Sequence, residues 1–212
     1  MISKIQGSLL LKNGSVYDPV SNNKEIADIL IENGIIKAVG KCKSSKTATE
    51  IDCKDKIISH GLIDIHAHFR EPGREDKETL ASGAEAAFSG GFTRVCVMPN
   101  TNPPLDSPES IHFIIEKSLN LPIQVFPIGA ITKEQKGVAM AEIGEMFYAG
   151  AVAISDDGIP LQNGQIMRYA IEYAHKYQIP VINHAEDLYL RNDGVMNESS
   201  LSTRLGLPGN PD

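Results

Sequence analysis

Five short apolar segments recur through residues 58–212 at a spacing of roughly 30 residues, and this recurrence strongly limits the possible folds. They cover residues 61–66, 93–98, 123–128, 151–155 and 179–183. The spacing is typical of one β-strand followed by one crossover helix. Residues 58–212 are therefore predicted to form a parallel sheet with helices packed against it.

Four helical patterns lie between these segments. Ser107 followed by a proline predicts a helix start, because serine is a good N-cap and proline is favoured at the first helical position. Thr132 and Gln135 predict a capping box at the start of the third helix. Apolar residues at helical spacing within 80–88 and 166–174 predict the other two helices.

Both an open doubly wound sheet and a (β/α)8 barrel fit this alternation. We favour the barrel because polar side chains cluster directly after the strands, where barrel enzymes place their chemistry. A complete barrel needs about 250 residues, whereas only about 155 follow residue 57. We therefore expect an α/β fold containing an incomplete TIM barrel, with about five of the eight strands.

Residues 1–57 have the pattern of short strands joined by turns, which predicts part of a small β-sandwich. The Asn-Gly pair at 33–34 lies between two apolar runs and predicts a β-hairpin. A second Asn-Gly pair at 13–14 predicts another turn. The expected organisation is part of a β-sandwich domain at 1–57, followed by the first part of the barrel at 58–212.

Charge and composition argue against several kinds of partner. Lys and Arg total 20 and Asp and Glu total 27, so the net charge is −7 and no nucleic-acid partner is expected. No apolar run approaches the ~18 residues of a membrane span, and the N-terminus lacks the form of a signal peptide. Cys42, Cys53 and Cys96 are scattered and predict reduced thiols. We expect a cytoplasmic protein without a membrane partner.

Two histidines follow the first barrel segment. Leu62, Ile63 and Ile65 predict a strand buried on both faces, and His66 and His68 lie at its end. Residues i and i+2 of an extended chain face the same side, so both imidazoles point one way. Two neutral imidazoles on one face can supply two corners of a metal site.

Asp157 and His184 follow later strands of the same predicted sheet. All four side chains could therefore meet at one rim, and this donor set suits a borderline cation such as zinc. Alternatives remain open at both positions. Asp156 and Asp157 could form a turn before Gly158, and His184 could be a hydrogen-bonded core histidine.

Five motifs together resemble the dihydroorotases of the amidohydrolase superfamily. They are GLIDIHAHFREPG at 61–73, MPNTNP at 98–103, SDDG at 155–158, NHAED at 183–187 and RLGLPG at 204–209. The resemblance is closest to the bacterial type with an Asp, rather than a carbamylated Lys, at the strand-four metal position. The absence of Lys between 137 and 175 agrees with that type.

The resemblance implies a centre of one or two zinc ions. His66 and His68 would hold the first ion, Asp157 would ligate or bridge, and His184 would belong to the second ion. A carboxylate has two oxygens and can bridge a metal pair.

The resemblance also implies a substrate and a reaction. His68, Arg70 and Asn100 would bind the substrate, the last two at its carboxylate, to which the planar guanidinium of arginine is well matched. The reaction would be the reversible hydrolysis of dihydroorotate to N-carbamoyl-L-aspartate, a step of pyrimidine synthesis. The alternative substrates are those of a hydantoinase or an allantoinase.

Full-length dihydroorotases take a further metal-ligand His from strand six and a catalytic Asp from strand eight, which the resemblance places beyond Asp212. We therefore expect the N-terminal portion of a dihydroorotase, with no catalytic acid or base of its own and active only with a complementing C-terminal chain. The alternative is an inactive structural partner of aspartate carbamoyltransferase. The charged residues Glu71, Arg74, Glu75 and Asp76 are expected to form a solvated loop.

Overall fold

The computed structural model describes residues 7–43 and 48–211; residues 1–6, 44–47 and 212 of the predicted domains lie outside this part. The N-terminal region forms one five-stranded sheet, ordered β3-β2-β1-β4, with β5 also pairing with β1. β1, β2 and β3 are antiparallel, whereas β4 and β5 run parallel to β1. The strands are β1 (Ser8–Asp18), β2 (Asn23–Glu32), β3 (Ile35–Gly40), β4 (Thr49–Asp52) and β5 (Ile57–Ile58).

The two Asn-Gly pairs of this sheet have different structures. Asn33 and Gly34 have φ angles of 51° and 76° and connect β2 to β3, so the predicted hairpin is confirmed. The turn predicted at 13–14 is wrong, because β1 continues through it. Asn13 has a φ of 61°, and the register with β2 shifts between Leu11 and Gly14. The irregular backbone is accommodated as a β-bulge and does not reverse the chain.

The second sheet is parallel, and its strands follow chain order as β6-β7-β8-β9. A doubly wound sheet reverses its strand order at a switch point, so this uninterrupted order agrees with a barrel. The segment at 179–183 contributes a single bridge, between Val181 and Ile154. The strands are β6 (Leu62–Ala67), β7 (Phe92–Val97), β8 (Gln124–Gly129) and β9 (Ala153–Ile154).

Four helices follow these strands, and small elements complete the described chain. α1 begins after the N-cap Thr79, and α2 begins after the predicted N-cap Ser107. The capping box predicted from Thr132 is wrong, because that residue precedes a 3₁₀ turn, Lys133–Gln135, and the third helix begins at Ile143. The elements are α1 (Leu80–Ser89), α2 (Pro108–Ser118), α3 (Ile143–Ala149), α4 (Gly164–Tyr177), α5 (Leu188–Arg191), β10 (Met196–Asn197), α6 (Ser200–Leu205) and β11 (Gly209–Asn210).

The main core lies between the parallel sheet and its helices. Its fully buried large side chains include Leu105, Ile111, Ile114, Ile143, Met146 and Ile154. The prediction that β6 is buried on both faces is wrong, because Leu62, Ile63 and Ile65 are 52%, 52% and 66% exposed. Within the described residues β6 pairs only with β7, so its other edge and much of its surface stay open.

Two further sequence expectations concern the cysteine thiols and membrane-spanning helices. Cys42, Cys53 and Cys96 are free thiols, as predicted. Among the described helices none combines the length and the apolar character that crossing a membrane requires.

Candidate metal centre

Three of the four predicted ligands lie at the carboxyl ends of strands, and the fourth follows an isolated bridge. His66 belongs to β6 and His68 follows it by one residue, whereas Asp157 follows β9. His184 comes shortly after the bridge at Val181. The carboxyl ends of parallel strands share one edge of the sheet, and this topology brings together side chains that are distant in sequence.

The Asp157 carboxylate lies between three imidazoles. Its Oδ2 is 3.4 Å from His66 Nε2 and 3.4 Å from His68 Nε2. Its Oδ1 is 3.1 Å from His184 Nδ1. The Asp157 side chain is 5% exposed, whereas the three imidazoles are 31–42% exposed. A buried carboxylate therefore forms the base of a cluster whose histidines reach solvent.

This geometry fits a metal ion. One ligand atom from each of His66, His68 and Asp157 lies within 4.8 Å of the others. Ligands at about 2.1 Å from a tetrahedral ion are roughly 3.4 Å apart, which is the spacing of Asp157 Oδ2 from both Nε2 atoms. Two imidazoles and a carboxylate are also a donor set that borderline cations accept. The second oxygen of Asp157 faces His184, so a bridging arrangement is geometrically open.

Of the two further residues predicted for substrate binding, Asn100 contacts the cluster directly. Its Oδ1 is 2.9 Å from His68 Nδ1. A Cβ atom at Gly158, whose φ is +83°, would lie 2.9 Å from Asn100 Nδ2, so this position favours glycine. Arg70 is half-buried, and its guanidinium forms no hydrogen bond or ion pair with residues 7–43 or 48–211.

The sequence of the chain is also similar to sequences of known proteins. A sequence profile described as Dihydro-orotase-like matches residues 55–212. The chain belongs to the dihydroorotase-like family. Proteins named dihydroorotase from Solibacter usitatus and Geobacter metallireducens are 47% and 48% identical to it over 96% of its residues. The match covers 47% and 49% of those proteins, so the chain spans about half the length of the curated relatives it matches.

Solved structures support the fold of this dihydroorotase-like chain. An L-hydantoinase (dihydropyrimidinase) from Arthrobacter aurescens matches 86% of it with a TM-score of 0.74 at 21% identity, covering 41% of that protein. A crystal structure of a dihydroorotase matches 83% of it with a TM-score of 0.54 at 15% identity, covering 50% of that chain. The chain therefore shares the fold of these proteins over most of its length, and the expected incomplete barrel is confirmed.

The adjacent residues Asp156 and Asp157 lie in different environments. Asp156 is buried away from the imidazoles and accepts hydrogen bonds from Ile131 N at 2.8 Å, from Thr132 N at 3.1 Å and from Thr132 Oγ1 at 2.5 Å. Burial raises the pKa of Asp156, and the hydrogen bonds from Thr132 and Ile131 oppose that rise. Asp156 therefore fixes the loop after β8, whereas Asp157 faces the histidines.

The loop after β6 contains a buried acid that the sequence analysis placed in solvent. Glu71 is 3% exposed, forms an ion pair with Lys117 of α2, and accepts a 2.7 Å hydrogen bond from the backbone N of Leu80. The expectation of a solvated loop is therefore wrong for Glu71. It agrees with the structure for Arg74 and Asp76, which form an exposed ion pair.

Two further residues near the candidate metal centre were given no role in the sequence analysis, although Glu186 belongs to the polar residues that cluster after the strands. Gln135 Nε2 donates to the backbone oxygen of Asp157 at 3.3 Å, and Glu186 Oε2 lies 3.7 Å from His184 Nε2. Glu186 stands two residues after His184 in a motif used for the resemblance, so spacing alone was a usable signal. Gln135 had no such signal, because its position suggested a helix cap.

Proposed function

We propose that this chain contributes the metal-holding part of a dihydroorotase-type cyclic amidohydrolase. The reaction is the reversible interconversion of (S)-dihydroorotate and N-carbamoyl-L-aspartate, in pyrimidine biosynthesis. The observation that carries the proposal is the Asp157 carboxylate lying 3.1–3.4 Å from three imidazoles. The dihydroorotase names of the relatives at 46–48% identity support this substrate over that of a hydantoinase.

The proposed metal is zinc, as one or two ions. His66, His68 and Asp157 Oδ2 would hold the first ion, and His184 with Asp157 Oδ1 would hold the second. When bound, zinc lowers the pKa of coordinated water to about 7 and polarises an amide carbonyl. Burial of Asp157 keeps its oxygens from competing water and fixes them between the imidazoles.

The proposed contribution of the other residues is to hold the substrate. Arg70 follows His68 by two residues, and its guanidinium is without a hydrogen-bonding partner among the described residues, so it is available for a carboxylate. Asn100, beside His68, would donate to the same carboxylate. This chain would therefore hold the ion and bind the substrate, without transferring a proton itself.

The test is an assay of the zinc-loaded chain with dihydroorotate, N-carbamoyl-L-aspartate, hydantoin and allantoin. Each substrate is tested with the chain alone and with the separately expressed C-terminal half of the Geobacter metallireducens dihydroorotase, the part outside the match. We expect turnover in the mixture, and with dihydroorotate and N-carbamoyl-L-aspartate only. Turnover of hydantoin or allantoin, without turnover of dihydroorotate, would contradict the proposal.

Arg70→Met tests the substrate assignment in the same mixture. We expect a higher KM for dihydroorotate and unchanged zinc content, because the lost guanidinium binds substrate and not metal. Arg74→Met is the matched control, since Arg74 is exposed and pairs with Asp76 at 2.9 Å. An equal rise in KM for both variants would contradict the role of Arg70.

The remaining expectations concern partners and location. We propose association with either a complementing C-terminal chain or aspartate carbamoyltransferase, and a cytoplasmic location. Co-purification tests the partners: recovery of a metal-free chain with the transferase would favour a structural role over an enzymatic one.

A further inference from the structure

The contact between Asn100 and His68 supports a second role for the amide. A neutral imidazole carries hydrogen on one nitrogen and a lone pair on the other, and the partner of one nitrogen selects the tautomer. Asn100 Oδ1 lies 2.9 Å from His68 Nδ1 and can only accept a hydrogen bond. We propose that Asn100 is a positioning residue that holds His68 as the Nδ1–H tautomer.

The consequence appears at the other ring nitrogen. With hydrogen on Nδ1, His68 Nε2 keeps its lone pair and directs it toward the site, where Asp157 Oδ2 lies 3.4 Å away. This is the form of imidazole that a cation accepts, and a fixed outer partner also restrains the ring orientation. The inference rests on the proposed function, because the tautomer matters for an ion held at this position.

The backbone around Asn100 is suited to this positioning. Met98, which is 1% exposed, donates its backbone N–H to Ala67 O at 2.9 Å, and Ala67 lies between His66 and His68. Leu105 N donates to Pro99 O at 3.1 Å and closes the loop after β7. Together these bonds hold the Asn100 loop against the end of β6.

Gly158 leaves space for the other end of the amide. A Cβ at this position would lie 2.9 Å from Asn100 Nδ2, so the absence of a side chain makes room for the amide. Asn100 Nδ2 forms no hydrogen bond with the described residues and remains free to donate to a substrate carboxylate. The two ends of one amide would therefore serve the histidine and the substrate.

The experiment combines ¹⁵N NMR of the imidazoles with zinc titration of the 212-residue chain. We expect the wild-type chain, without metal and at an alkaline pH where imidazoles are neutral, to show His68 as the Nδ1–H tautomer. Asn100→Leu keeps most of the volume but removes the acceptor, so the Nε2–H form should appear and zinc affinity should fall about 10- to 100-fold. Asn100→Asp keeps an acceptor and should retain the Nδ1–H form and tight binding.

Asn102→Asp is the matched control, since Asn102 is an exposed residue of the same loop and gains the same charge. It should leave both the tautomer and zinc affinity unchanged. A wild-type His68 found as Nε2–H would overturn the inference, as would an Asn100→Leu chain with unchanged tautomer and affinity. The NMR measurement reports the tautomer even if the wild-type chain binds no zinc. A failure of the proposed metal site can therefore be distinguished from a failure of this inference. Circular dichroism identifies a variant that does not fold. In that case the ¹⁵N NMR spectrum of the wild-type chain still tests the predicted tautomer.

Discussion

At the scale of single residues, Asp156 and Asp157 show how adjacent carboxylates acquire different tasks. Asp156 is the second residue after β9, and Asp157 begins a turn closed by a hydrogen bond from Ile159 N to Asp156 O. Asp156 meets the backbone of Ile131 and Thr132, whereas Asp157 meets the imidazoles. The two acids can be separated by experiment, because one should control stability and the other metal binding.

Asp157→Asn should abolish tight zinc binding while the chain remains folded. The amide has the same shape, but it replaces one charged oxygen by a nitrogen that cannot ligate. The loss should exceed the roughly 100-fold that loss of an outer-shell partner costs. Competition with a chromophoric chelator measures it, with Asp193→Asn as the exposed control. Equal zinc affinity in wild type and Asp157→Asn would exclude Asp157 as a ligand.

Asp156→Ala should lower the free energy of unfolding by about 3 kcal/mol or more, since each buried donor left without an acceptor costs about 1–3 kcal/mol. Two backbone N–H groups and the Thr132 hydroxyl lose their acceptor. Urea unfolding measures the change. Asp156→Asn keeps Oδ1 and should lose less; a larger loss for Asn than for Ala would contradict this account.

Part of the site follows from the sequence at this scale. The i, i+2 spacing of His66 and His68 was sufficient to place both imidazoles on one side. The preference for Asp157 over Asp156 came from the family resemblance, because the residues alone also allowed a turn. The partners of Asp156 could not be predicted, since Ile131 and Thr132 approach it only after β8 and β9 pair.

At the scale of elements, Glu71 connects the loop after β6 to two helices. Its carboxylate accepts from the first residue of α1 and pairs with Lys117 near the end of α2. A carboxylate at a helix N-terminus is favourable because the helix dipole places positive charge there. The loop that contains Arg70 is therefore held by a buried charge.

Glu71→Ala should destabilise the chain by about 2 kcal/mol, because a hydrogen bond to a charged group contributes about 1.5–3 kcal/mol. Leu80 N, on a residue that is 1% exposed, would lose its acceptor. Urea unfolding of Glu71→Ala is compared with Glu85→Ala, an exposed position on α1 whose loss should stay within about 0.5 kcal/mol. Similar losses of unfolding free energy in the two variants would show that the buried contacts of Glu71 do not stabilise the chain.

Local signals predicted the elements only where no distant partner competed. The Asn-Gly pair at 33–34 had two strands to join and formed the hairpin, whereas the pair at 13–14 lies inside β1 and became a bulge. Thr132 had the spacing of a helix cap, but Asp156 takes its hydroxyl hydrogen. Glu71 appeared to be a loop acid because nothing in the sequence indicates Lys117 as its partner.

At the scale of the whole molecule, apolar surface on β6 remains uncovered. Ile63 and Ile65 point to the same side of the strand by alternation, and both are more than half exposed. An open strand edge beside exposed apolar side chains favours association with another chain. The division into a sandwich part at 1–57 and a barrel part at 58–212 remains our proposal.

We expect the 212-residue chain to self-associate at micromolar concentration. Ile63→Lys combined with Ile65→Lys should shift it toward monomer with little effect on unfolding, because exposed substitutions usually change stability by less than about 0.5 kcal/mol. Sedimentation velocity measures the species present. Val20→Lys is the control, since Val20 is 91% exposed and lies in the turn between β1 and β2. A monodisperse wild-type monomer would contradict the expectation.

His66 lies on the first strand of the parallel sheet, and His184 follows the segment that bridges to its last strand. Both imidazoles nevertheless contact the Asp157 carboxylate. An ion bound among these side chains would link the first strand of the sheet to the segment that follows its last strand. Binding confined to the folded state adds about 2.7 kcal/mol at a free concentration one hundred times the Kd. The heat resistance of the chain should therefore follow the supply of zinc, rising when it is added and falling when a chelator withdraws it.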